Sequence, residues 1–117
     1  MRGLPADSPK NNLSYAILIL KGVERMKYDK IKPETLTLVT SIVGKENVLT
    51  ETELLQPYSH DEVTDPAYHH LPEVVVFPES TEQVAKLVKL ANEKHFPIVP
   101  RGAGTGLACG AVPIYGG

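Results

Sequence analysis

Pro100-Arg101-Gly102-Ala103-Gly104-Thr105-Gly106-Leu107-Ala108-Cys109-Gly110-Ala111 sets three glycines at alternate positions behind an arginine, directly after the short apolar run Ile98-Val99. Glycine lacks a Cβ, so it reaches φ > 0 and lets another molecule approach the main chain closely. A run of such residues can turn successive N–H groups toward one point, a concave nest for an anion. Arg101 adds a fixed positive charge and a planar donor fork suited to phosphate oxygens. The stretch reads as a loop that holds a phosphate or pyrophosphate. The plainer alternative is a glycine-rich connection with no ligand.

Two phosphate-binding patterns are excluded by spacing. A Rossmann fingerprint requires G-x-G-x-x-G opening a helix, but the sixth position is Leu107 counted from Gly102 and Cys109 counted from Gly104. A P-loop requires G-x-x-x-x-G-K-[ST], and no lysine follows any of these glycines. Gly110, Pro113, Gly116 and Gly117 are all poor helix-interior residues. The anion site is therefore expected in a loop between strands.

Working back from the loop, Leu71 to Pro100 gives the clearest architecture. Val74-Val75-Val76-Phe77 is an unbroken β-branched and aromatic run closed by Pro78. Such a run suits a strand covered on both faces. Ser80 then caps a helix, with Gln83 at the capping-box position. Val84, Leu87, Val88 and Ala91 fall on one stripe that should face a sheet, each buried Val or Leu adding roughly 1.5–3 kcal/mol. Pro97 ends the helical stretch and Ile98-Val99 reads as the next strand. This is the pattern of a right-handed βαβ unit with parallel strands. It delivers the chain into the glycine loop at the carboxyl end of a strand, where α/β sheets bind ligands.

Nearer the start, Pro33 suits a first helical position. Leu36, Val39, Ile42 and Val43 follow at helical spacing, and Gly44 suits the stop. Val48-Leu49 is a brief extended piece. Thr50 and Glu53 have capping-box spacing, starting a short helical turn through Leu54-Leu55 that Pro57 ends. Pro57 to His70 is a polar loop with three of the four histidines. Adjacent His69 and His70 point to opposite faces of an extended chain, and no Cys or second acidic cluster has ligand-like spacing, so a solvated loop is favoured over a metal site. Asp61 can equally cap a turn.

Composition narrows the class. The chain has 117 residues, 42% hydrophobic and 22% charged, with a formal net charge of -2. That is one ordinary soluble domain, with no basic excess calling for nucleic acid or an anionic membrane. The single cysteine, Cys109, permits no internal disulfide and fits a reducing cytoplasm. The longest apolar run, Tyr15 to Leu20, falls well short of the about 20 residues that cross a bilayer. Polar Lys10-Asn11-Asn12 precedes it and no small-residue cleavage pattern follows, so neither a signal peptide nor a membrane helix is read. Residues 1–25 are expected to be an extension, with the domain proper starting near Met26. Ala16 to Leu20 is open between a short strand and a helix.

Together, Pro72-Glu73-Val74-Val75-Val76-Phe77-Pro78, Ser80-Thr81-Glu82-Gln83-Val84 and Pro97-Ile98-Val99-Pro100-Arg101-Gly102-Ala103-Gly104-Thr105-Gly106-Leu107 closely resemble the FAD-linked oxidases. These form the vanillyl-alcohol-oxidase superfamily, with a PCMH-type FAD-binding domain. Within it the likeness is nearest to the glycolate oxidase flavoprotein subunit and the D-lactate dehydrogenases. The likeness is strong over residues 71–117 and extends to about Met26. It implies an α/β (or α+β) fold, the N-terminal lobe of that domain, with 26–70 a helical lead-in and polar loop and 71–117 the first part of the FAD-binding domain.

The same resemblance implies that Pro100, Arg101, Gly102, Ala103, Gly104, Thr105, Gly106 and Leu107 wrap the FAD pyrophosphate. Where some relatives attach FAD through a histidine, this chain has Thr105, so noncovalent FAD is expected. The implied reaction is oxidation of a 2-hydroxy acid such as glycolate or D-lactate, with the flavin supplying the redox chemistry. Two departures stand out. Cys109 occupies a position where the family usually has glycine; should it need φ > 0, its Cβ costs about 1–2 kcal/mol. The relatives also continue past Gly117 with the parts expected to contact the flavin ring and substrate, so no catalytic residue is named here, and a noncatalytic FAD- or phosphate-binding module is the rival reading.

Overall fold

The computed structural model describes residues 27–117. The expectations for residues 1–25, including the Ala16–Leu20 element, lie outside the described residues. Helix α1 spans Pro33–Val43, strand β1 Val48–Leu49, helix α2 Thr52–Leu55, strand β2 Val75–Val76 and helix α3 Thr81–Lys94, with single 3-10 turns at Lys45–Asn47, Gln56–Tyr58 and Pro66–Tyr68.

The two long helices form where the sequence places them. Pro33 sits in the first turn of α1 beside Glu34, whose negative charge suits the positive end of the helix dipole. Gly44 closes α1 with φ 90, and its N–H donates to Thr40 O at 2.9 Å. A side chain there would be strained and would run into the Glu46 carboxylate. In α3, Ser80 Oγ accepts from Gln83 N–H at 3.2 Å, while Gln83 Oε1 accepts from Glu79 N–H at 2.7 Å. The helix stops at His95, which takes the left-handed conformation.

Helices α1 and α3 pack on each other. Val39, Val43, Leu87, Leu90, Ala91 and Phe96 form the core, with Ile31, Ile42, Val48 and Val76 against it. Asn47 ties this core to the sheet: its side-chain amide donates to Val43 O at 2.9 Å and to Glu79 Oε1 at 2.8 Å, and its carbonyl accepts from Phe77 N–H. Glu73 makes a second tie, accepting from Ile31 N–H at 3.0 Å and Gly117 N–H at 2.8 Å.

The sheet departs from expectation. β1 and β2 pair antiparallel, Val48 opposite Val76 and Leu49 opposite Val75. Ile98-Val99 joins no ladder among the described residues, so this chain shows a mixed helical fold with a small antiparallel sheet and not the parallel βαβ unit. The reason is pairing: a strand exists only where a neighbour offers carbonyls and amides in register. Here β2 is paired by β1, while 98–99 and β2 line a common groove of about 480 Å³. Phe77 is correspondingly 42% exposed. Val84 and Val88 are 45% and 46% exposed, so the α3 stripe is covered only along Leu87, Leu90 and Ala91. The Thr50 cap is also corrected: α2 begins after Glu51, with no side-chain cap bond.

Leu87 and Val88 are neighbours in sequence with different surroundings, which gives a stability test. Leu87→Ala is expected to cost about 2–5 kcal/mol and Val88→Ala under about 1 kcal/mol, read from urea unfolding midpoints of the two variants. Equal costs would contradict the packing described here.

Candidate functional site

The glycine stretch leaves the core at Phe96 and runs as an irregular, non-helical loop from Arg101 to Gly110. Pro100, Arg101 and Gly102 lie at the edge of the apolar groove. Gly102, Ala103, Thr105, Gly106 and Leu107 are exposed, Leu107 the most at 76%. Gly104 is half-buried with φ 70. No main-chain N–H from Gly102 through Ala108 donates to another described residue. Exposed main-chain donors left over by the fold are what an anion needs.

Arg101 has a different role from the one its charge suggests. Its Nη1 donates to His60 O at 2.9 Å and Ala111 O at 3.4 Å, and its Nη2 donates to Pro57 O at 3.3 Å. The guanidinium also lies 5.5 Å from the centre of the Tyr58 ring. The donor fork is engaged by peptide carbonyls, so Arg101 works here as a strut under the loop. That explains Gly104 beyond its positive φ: a Cβ at this position would collide with the Arg101 guanidinium.

The polar loop is corrected in part. Ser59 and Asp61 are only 6% exposed each, and residues 59–62 form the floor of the glycine loop, while residues 64–68 are exposed as a solvated connection would be. Asp61 Oδ1 accepts from Val63 N–H at 2.9 Å, the turn-capping role foreseen for it. Its Oδ2 accepts from Cys109 N–H at 2.8 Å, a contact across 48 residues that local sequence patterns do not reveal. Glu62 N–H donates to Gly106 O at 3.1 Å. His60 and His69 stack with ring centres 4.8 Å apart, and Ser59 Oγ lies 3.1 Å from His60 Nδ1.

The bond from Val63 N–H chiefly holds the Asp61 carboxyl below its ordinary value of 3.8, helped by the Cys109 N–H and the Arg101 charge. Because the folded value is lowered, the carboxylate's stabilisation is complete above the ordinary range and is lost as pH falls below 3.8. Below that value the melting temperature of the native chain should fall more steeply with pH than that of Asp61→Asn. Parallel curves would contradict the arrangement.

Cys109 adopts φ 58, so the condition set by the sequence is met. Relieving about 1–2 kcal/mol of left-handed strain is partly offset by the ~0.4–1 kcal/mol entropy of an added glycine. Cys109→Gly should therefore raise the thermal midpoint slightly, while Cys109→Ala, which keeps the Cβ, should not.

Known proteins share this chain's features. Residues 72–117 match the family model described as FAD binding domain. A D-lactate dehydrogenase of Anaerostipes hadrus is 43% identical over 91 residues, 78% of this chain and 19% of that protein. The glycolate oxidase subunit GlcD of Bacillus subtilis (strain 168) is 38% identical over 76 residues, 65% of this chain and 16% of that protein. An uncharacterized FAD-linked oxidoreductase of Mycobacterium tuberculosis (strain H37Rv) is 39% identical over 79 residues, 67% of this chain and 17% of that protein. The chain thus spans about a fifth or less of the length of these relatives. The glycine loop lies inside the stretch that matches the FAD binding domain, and over that stretch the chain is similar to FAD-linked oxidoreductases.

Proposed function

We propose that this chain binds FAD noncovalently, gripping the diphosphate with the main chain of Pro100 to Leu107, as the FAD-binding portion of an oxidoreductase acting on a 2-hydroxy acid. The observation that carries the reading is the run of N–H groups from Gly102 to Ala108, unpaired among the described residues and all but Gly104 on exposed residues, in a loop braced from beneath. The residues fit the group. The loop offers only main-chain donors and the Thr105 hydroxyl, and Arg101 supplies positive charge beneath it while bonded to three peptide carbonyls. Charge-assisted bonds of this kind are worth roughly 1.5–3 kcal/mol each.

Bound flavin would supply the redox chemistry of the hydroxy-acid oxidation. This chain's own part is to hold the diphosphate and keep the loop's shape. Glycolate and D-lactate are the substrates suggested by the names of the relatives, and a cytoplasmic setting fits the single free cysteine. The second reading is a binding module without turnover of its own.

Titration with FAD, ADP and riboflavin tests both. ADP should compete with FAD while riboflavin, which lacks the diphosphate, should not. Gly104→Ala should weaken FAD about five- to thirty-fold if the loop relaxes out of shape to relieve the about 1–2 kcal/mol of left-handed strain. Bleaching of bound flavin by D-lactate or glycolate supports the enzyme, and binding without bleaching the module. Riboflavin binding as well as FAD would overturn the diphosphate assignment.

A further inference from the structure

We propose that Asp61, outside the glycine motif, is the positioning residue of the diphosphate loop: its carboxylate fixes the loop in the shape that leaves the Gly102 to Leu107 amides facing a ligand. The proposal rests on the FAD-binding reading above. Three contacts carry it. Asp61 Oδ2 takes the Cys109 N–H at 2.8 Å, which turns the end of the loop inward. Glu62 N–H takes the Gly106 carbonyl at 3.1 Å. Arg101 binds His60 O at 2.9 Å, securing the loop's first residue to the same short segment. Residues 60–62 thus hold the loop at its start, middle and end.

The direction of the amides follows from peptide geometry. No peptide bond here is cis, and in a trans peptide the carbonyl and the following N–H point opposite ways. Pinning Gly106 O inward therefore turns Leu107 N–H outward. Asp61 lies directly below: a Cβ on Gly106 would sit 3.9 Å from its Oδ2. A buried carboxylate under an anion site would repel the ligand if it stood alone. Here both oxygens are bonded to main-chain N–H groups and the Arg101 charge acts on the same carboxylate. An amide cannot replace it, because Asn offers one oxygen and would aim its NH₂ at a second N–H.

The test compares Asp61→Asn with Asp65→Asn in the full chain. Asp65 makes the same kind of turn in the same segment, accepting from Ala67 N–H at 2.9 Å, but does not touch the loop. Measured are hydrogen exchange of the Cys109 amide, FAD and ADP affinity, and thermal midpoint. Asp61→Asn should speed Cys109 exchange and weaken both nucleotides at least about ten-fold, whereas Asp65→Asn should leave both unchanged whatever it does to the midpoint. Unchanged affinity and unchanged Cys109 exchange in folded Asp61→Asn would overturn the proposal. Should that variant fail to fold, the native chain decides: Cys109 must exchange more slowly than Gly102 to Leu107, and equal rates overturn it. A native chain that binds neither nucleotide defeats the FAD reading and the ligand half of this proposal, an outcome told apart by the Cys109 exchange, which reports the Asp61 contact without any ligand.

Discussion

The Asp61 carboxylate and the Arg101 guanidinium, one beneath each end of the glycine loop, are the constraint on which the site depends. Both are engaged by the main chain. Asp61 is satisfied by the N–H groups of Val63 and Cys109, and Arg101 by the carbonyls of Pro57, His60 and Ala111. A glycine-rich segment loses more conformational freedom on ordering than any other. Without the two braces, residues 102–108 would keep only the bond from Glu62 N–H to Gly106 O to hold one shape. The braces order the loop from below and leave its upper N–H groups unspent.

This division of labour separates charge from recognition. The loop's exposed donors are neutral peptide groups, and the arginine that would seem made for phosphate is turned under them. Gly104 is the meeting point of the two layers. It takes φ 70 and lets the guanidinium pass where a Cβ would stand. Cys109 shows the same demand met less well, a left-handed residue that carries a side chain.

Much of this was legible in the sequence, and the failures have one physical cause. Helices α1 and α3 are set by contacts three and four residues apart and by their own caps, so Pro33, Gly44, Ser80 and Gln83 announce them. The loop's irregular form follows from its glycines and prolines. Pairing is different. Whether Ile98-Val99 finds a strand partner, and that Asp61 reaches Cys109 across 48 residues, depend on which distant segments meet. Val84 and Val88 read as core by period alone, yet stand exposed beside the groove, because a stripe is buried only where something covers it. The hydrogen bonds of the Arg101 side chain were illegible for the same reason: two of its partners lie 41 and 44 residues away, at His60 and Pro57.

The central claim is that the main chain above these braces receives a diphosphate. The most direct measurement is the amide spectrum of the isotope-labelled chain during titration with FAD. The account predicts that the largest shifts fall on Gly102 to Leu107, while the Cys109 amide, already bonded to Asp61, moves little. Shifts centred elsewhere, or none in the loop at saturating FAD, would contradict it.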